Sequence, residues 1–233
     1  MRLSSIKIIQ TGLFSASLLL ITSSAHAVLI DGIDFDDSWF ADVVVDYSPN
    51  IVMDPVEDPA PAYRDPMQAL GAPDIDTSSA LACLQFPTPA NCRFTSMGDG
   101  GSLTVQFTDN YLNGDGTTAS DLYVLEVGEA EGSTVEVSAD GVAWTTVGTI
   151  PADDTLGIGV FTYGFDIDAA GFGIADIVNY VRLTDSNLMV TSTPRGSDFD
   201  AIGAIPTPIP IPAAAWLFGS ALGLLGWARR KRT

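Results

Sequence analysis

From Ser102 to Phe107 the chain reads SLTVQF, with apolar and polar residues in alternation. That is the period of a strand with one buried face. Asp121 to Val127 (DLYVLEV) and Thr134 to Ser138 (TVEVS) repeat it. The latter runs into Asp140-Gly141, a strong hairpin turn signal, with Trp144 to Gly148 as the expected partner strand. Phe40 to Tyr47 (FADVVVDY) is β-branched and gives the first strand. Phe161 to Ile167, Tyr180 to Thr184 and Phe199 to Ile205 complete a set of eight. Asn50 to Pro66, rich in Pro and acid, reads as a long surface loop, and Asp153 to Gly159 as a shorter one. Short strands at close spacing predict an all-β fold, a β-sandwich or jelly roll.

Two stretches break this pattern, one at each end. Residues 1–27 carry Arg2 and Lys7, then a mostly apolar run from Ile8 to Ile21, then Ala25-His26-Ala27. This is the layout of a signal peptide, a helix removed on export, with the mature chain beginning near Val28. At the other end, 206–212 alternates proline and favours an extended spacer. Residues 213–233 hold sixteen uncharged residues, Ala213 to Ala228, and then Arg229-Arg230-Lys231-Arg232. As a helix the apolar run is about 24 Å long, short against a hydrocarbon core of about 30 Å. Trp216 and Trp227 fall near its ends, and the cations place the terminus in the cytoplasm. The pattern predicts a transmembrane helix holding the exported chain at the inner membrane.

Between these ends, residues 28–205 form one ectodomain, large enough to bury a core. It holds all 29 acids but only four cations, Arg64, Arg93, Arg182 and Arg195, a net charge of −25. Such a surface repels nucleic acid and attracts cations. The only histidine, His26, lies in the signal peptide, and the ectodomain has no lysine. Ser-His and Cys-His nucleophiles, histidine metal ligands and Schiff-base chemistry are thereby excluded. There is no P-loop and no GxGxxG fingerprint, and no catalytic residue is assigned.

Cys83 and Cys92, the only cysteines, flank a Pro-containing loop. In an oxidising compartment they are most simply a disulfide; a reactive or metal-binding thiol pair is the alternative. The abundant carboxylates fit calcium, which takes six to eight oxygens. Acids cluster at Asp65 and Asp74, at Asn113, Asp115 and Asp121, and at Asp198 and Asp200. Asn113 to Thr117 starts like an EF-hand loop, but Thr118 stands at its sixth position and Val124 at its twelfth. Ordinary turn-capping is the competing role for each acid. A glycosidase needs two carboxylates about 5–9.5 Å apart, and with so many acids some pair meets that distance by chance.

The tail Ile209-Pro210-Ile211-Pro212-Ala213, followed by a helix with Trp-Leu-Phe-Gly-Ser and a basic terminus, resembles the VPLPA variant of the PEP-CTERM sorting signal. Ile209 and Ile211 replace Val and Leu. The resemblance implies handling by exosortase, a membrane-embedded transpeptidase, and delivery to the cell surface or extracellular matrix. In the ectodomain, VEVSADGVAWTTVG, YVRLTD and FDAIGAI resemble strands of discoidin-like domains. RDPMQALGAPD and SMGDGGSLTVQF resemble the opening of a related bacterial surface domain. These similarities imply an eight-stranded, galactose-binding-like jelly roll and a structural calcium between an early loop and the last strand, at Asp65, Asp74, Asp198 and Asp200. They imply a non-enzymatic binding or structural module with extracellular polysaccharide as ligand. A carboxylate-dependent glycan hydrolase is the alternative.

Overall fold

The computed structural model describes residues 27–30, 32–53, 56–75, 81–83, 93–153, 155–188 and 194–206. The predicted signal helix, the sorting motif at Ile209, Pro210, Ile211, Pro212 and Ala213, and the C-terminal helix lie outside these residues. Among the described residues no helix is long and apolar enough to cross a membrane.

Thirteen strands are described, all paired antiparallel. β1 (Ala27–Ile30) and β2 (Ile33–Asp36) form one hairpin; β4 (Val52–Met53) and β5 (Glu57–Asp58) form another. The other nine make two sheets. One has the order β10 (Thr145–Asp153), β9 (Ala130–Ser138), β12 (Tyr180–Asp185), β7 (Ser102–Gln106), β3 (Val43–Ser48). The other has the order β11 (Gly159–Phe165), β8 (Leu122–Gly128), β13 (Asp198–Ala204), β6 (Thr95–Ser96). One apolar cluster joins them: Val105, Val137, Val181 and Leu183 from the first meet Leu122, Val124, Phe199 and Ile202 from the second. The fold is an antiparallel β-sandwich.

All eight expected strands are present, within a few residues of their expected ends. β10 runs five residues beyond Gly148, and Ile167 falls outside β11. The Asp140-Gly141 turn is real but longer than a two-residue hairpin. Ser138 and Asp140 accept its backbone N–H groups, and Gly141 takes φ +73. Residues 50–66, expected to lack regular structure, contain the β4–β5 hairpin and a 3-10 turn at Pro61–Tyr63. Two-residue strands are too short to display a period.

The two sheets differ in their outer faces. The four-stranded sheet is covered on its outside. Phe35 and Phe40 stack there, ring centroids 5.5 Å apart, over Leu125 and Ala201. Tyr63 and Phe94 stack over Val127. DLYVLEV is therefore no half-buried strand, as its alternation implies: every residue of β13 is buried, and all of β8 except half-buried Tyr123. The five-stranded sheet keeps the simple alternation, seen most plainly in β12.

Candidate functional site

On the open face of the five-stranded sheet, register sets the side chains in rows. Thr104, Arg182, Glu136 and Thr146 stand opposite one another across four strands. Ser102, Thr184, Thr134 and Thr149 form a second row, and Gln106, Tyr180 and Ser138 a third. Opposed residues in antiparallel strands share a face, so these rows are polar, with exposed Val43 continuing the Gln106 row at the β3 edge. Arg182 donates from two nitrogens to Glu136 Oε2, at 2.8 and 2.7 Å. Its guanidinium also lies 4.3 Å from the centre of the Trp144 ring, a cation–π distance. Gly141 lies against the Tyr180 ring: a Cβ there would sit 3.5 Å from Cζ. Each aromatic ring thus has a packing neighbour on this face.

The acids expected to share a calcium are not brought together. No three of Asp65, Asp74, Asp198 and Asp200 place carboxylate oxygens within 4.8 Å of one another. Asp65 caps the 3-10 turn at Pro66–Ala69, accepting from Met67 N at 3.1 Å and Gln68 Nε2 at 3.1 Å. Asp74 pairs with Arg93 at 3.0 Å on the surface. Asp200 accepts from Ile75 N at 3.4 Å, and burial pushes its carboxyl up to about 7. The physical reason is local: acids beside a turn or an arginine are consumed there.

Asp115 and Asp121 do come together, with Asp168 as the third member, their oxygens within 4.8 Å. Asp168 is 47 residues from Asp121 in sequence, so spacing could not reveal it. Each acid already accepts a backbone N–H: Asp115 from Thr117, Asp121 from Ile167, Asp168 from Gly116. Burial pushes Asp121 up to about 6.

A second group sits where the chain crosses from one sheet to the other, between β8 and β9. Glu126, Glu131 and Asp198 are 0 %, 4 % and 3 % exposed. Burial pushes Glu126 up to about 8, opposed by the N–H of Glu131, which donates to Oε1 at 3.2 Å. Burial, and then the charge of Glu131, hold Asp198 well above the carboxylate range. The sequence did carry a sign of Glu126: it is an acid on the same face of β8 as Leu122 and Val124.

Cys83 is buried among Tyr63, Ile75, Phe94 and Val127, and no described cysteine is free. Cys92 lies outside the described residues, so the pairing stands as a proposal. Thiol titration of the denatured, unreduced protein should find no free thiol, and two would end the proposal. The bridge should contribute about 2–3 kcal/mol, since it closes only a short loop.

No family model matches the chain, and no curated protein matches it. Among solved structures it is similar to a family 29 carbohydrate-binding module from Piromyces equi, at 13 % identity and a TM-score of 0.33, over 48 % of this chain and 68 % of that one. A mutant of a family 29 module gives 13 %, 0.32, and 51 % and 76 %. The CBM32-3 module of a family 31 glycoside hydrolase from Clostridium perfringens gives 16 %, 0.28, and 45 % and 67 %. Likeness at this level carries no argument about what the chain binds.

Proposed function

We propose that this chain is an exported cell-surface protein whose sandwich, a galactose-binding-like jelly roll, binds extracellular glycan without catalysis. Exosortase recognises its tail, and the C-terminal helix holds it at the inner membrane before release to the surface or matrix. The observation that carries the binding reading is the open face of the five-stranded sheet. Hydroxyl, amide and ion-pair groups stand in rows there beside two aromatic rings. A saccharide offers hydroxyls to such rows and an apolar C–H face to a ring. Groups already held in place lose little freedom on binding.

Beside Trp144, the acid nearest the aromatic ring is not free for hydrolysis. Glu136, on the open face, is held by Arg182. Glu126, Glu131 and Asp198 are buried inside the sandwich. A general acid must come within hydrogen-bond reach of the atom it protonates.

The test is a glycan array probed with the full chain in detergent, followed by Trp144→Ala. The substitution should leave the fold intact, because Trp144 is only half-buried and a cation–π contact contributes about 0.5–1 kcal/mol. It should weaken binding to any array hit about 10–30-fold, as loss of an interface aromatic does. A hit bound equally well by Trp144→Ala would remove the open face from the account. Release of reducing sugar from that hit would favour the hydrolase.

A further inference from the structure

Both edge strands of the five-stranded sheet carry a β-bulge, and both bulges fall on one row of side chains. In β3 the register shifts between Val44 and Asp46. Simple alternation from Val44, which packs on the interior cluster, would send Asp46 inward and Tyr47 outward. The extra residue, Val45, reverses this. Tyr47 packs on the interior cluster, and Asp46 stands opposite Thr104 on the open face. In β10 the shift between Thr146 and Gly148 holds Thr146 opposite Glu136, while Val147 packs inward. The row therefore runs Asp46, Thr104, Arg182, Glu136, Thr146 across all five strands. Re-aiming a side chain at a sheet edge is what a bulge does.

Five strands spaced about 4.8 Å apart span about 19 Å, room for a short oligosaccharide laid across them. Trp144, which leads into β10, and Asp46 lie toward opposite ends of that span. The charges along the row do not balance. Its one cation, Arg182, is committed to Glu136 and to the Trp144 ring. Asp46 is exposed. Ser48 Oγ donates to its Oδ2 at 3.1 Å, and among the described residues no arginine pairs with it. Arg64 is held by Glu57, Arg93 by Asp74, and Arg195 by Asp58 and Asp99. The row thus presents one uncompensated charge, and it is negative. The ectodomain around it sets 29 acids against four cations, so the field of the whole chain acts in the same direction. A uronic or sulfated glycan would be repelled and would find no free cation. A glycan with ammonium groups would be attracted and would find a carboxylate. Asp46 lies three strands from Glu136, about 14 Å, too far to form with it the carboxylate pair of a glycosidase.

We propose that the glycan taken by this face is an amino-sugar polymer, with a free ammonium group set on Asp46 and a sugar ring against Trp144. The inference rests on the glycan reading of the open face and adds the chemical class of the ligand. Sugar hydroxyls then meet the hydroxyl rows, a C–H face meets Trp144, and the ammonium meets the one acid that no arginine holds. N-acetylation would remove that charge and leave Asp46 without a counterion. The bulge in β3 makes the class legible, since it brings the unpaired acid into the row.

The test measures the affinity of the full chain, in uncharged detergent at pH 6, for four tetramers: glucosamine, N-acetylglucosamine, a uronic acid, and tetralysine as a cation without sugar. Among the three saccharides the glucosamine tetramer should bind best and the uronic acid least. Asp46→Asn should weaken glucosamine binding about 2–5-fold, as loss of an exposed ion pair does, and leave N-acetylglucosamine binding unchanged. Asp46 is exposed and asparagine still accepts from Ser48, so the fold is retained. Trp144→Ala should weaken both sugars together and leave tetralysine unchanged. Equal affinity for the amine and the N-acetyl tetramer, or an Asp46→Asn variant that keeps the full preference, would overturn the amino-sugar class, while dependence on Trp144 would still uphold the glycan face. Glucosamine binding that is insensitive to Trp144→Ala and matched by tetralysine would mean bulk attraction to an acidic protein and would overturn it too. So would the absence of binding to any of the saccharides.

Discussion

Phe199→Ala should destabilise the protein by about 3–5 kcal/mol, the cost of removing a large buried aromatic and leaving a cavity. Phe199 is fully buried in the cluster that joins the two sheets, in a strand paired on both sides. Neighbours on both sides fix its backbone, so the site cannot collapse to refill the space. Against a total stability of about 5–15 kcal/mol, the loss should lower Tm by roughly 10–15 °C. Val142→Ala is the control. Val142 is 80 % exposed in the β9–β10 turn, and its loss should change stability by no more than about 0.5 kcal/mol. Chemical denaturation of both variants checks the pair. Equal midpoints would mean that Phe199 does not hold the sheets together.

The second large effect is a loss of stability at alkaline pH. Burial raises the Glu126 carboxyl from its ordinary value near 4.5 to about 8. The folded state therefore holds this proton more tightly than the unfolded chain does. A group of this kind stabilises fully below its unfolded pKa and loses that stabilisation as pH rises through its folded pKa. Asp198 is shifted in the same direction, and so is Asp200, to about 7. Asp36, Asp140 and Asp153 are shifted the other way by hydrogen bonds, which matters only in acid. Between pH 5 and pH 9 the protein should lose about 4 kcal/mol from Glu126 alone. Urea midpoints across that range measure it. A midpoint that rises toward pH 9, or does not move, would contradict the burial of Glu126.

The strands of the five-stranded sheet were the most legible part of the sequence. Their inner residues, such as Leu103, Val105, Val181 and Leu183, alternate with polar ones because the other face meets water. The four-stranded sheet was harder to read. Val127 and Leu125 lie under Phe94 and Phe35, a second layer contributed by segments far away in sequence. Alternation reports one buried face and cannot report a second. The acids were the least legible, since calcium chemistry depends on which carboxylates meet. Asp65 and Asp74 were claimed by a turn and by Arg93. Asp168 joined Asp115 and Asp121 through a contact that no spacing rule contains. Glu126 was different, because an acid in line with Leu122 and Val124 is visible in DLYVLEV before any fold is known. The polar rows around Arg182 needed the register, but Trp144 and Tyr180 stand in two of the segments that resemble discoidin-like strands.

The most direct test of the binding claim is an NMR titration of the protein with whichever saccharide the array selects. The account predicts that the largest shifts fall on Trp144 Nε1, on Arg182 Nε and on the amides of β9, β10 and β12. Shifts confined to the opposite sheet's covering layer, or to the loops at the sandwich ends with Trp144 and Arg182 unmoved, would contradict it.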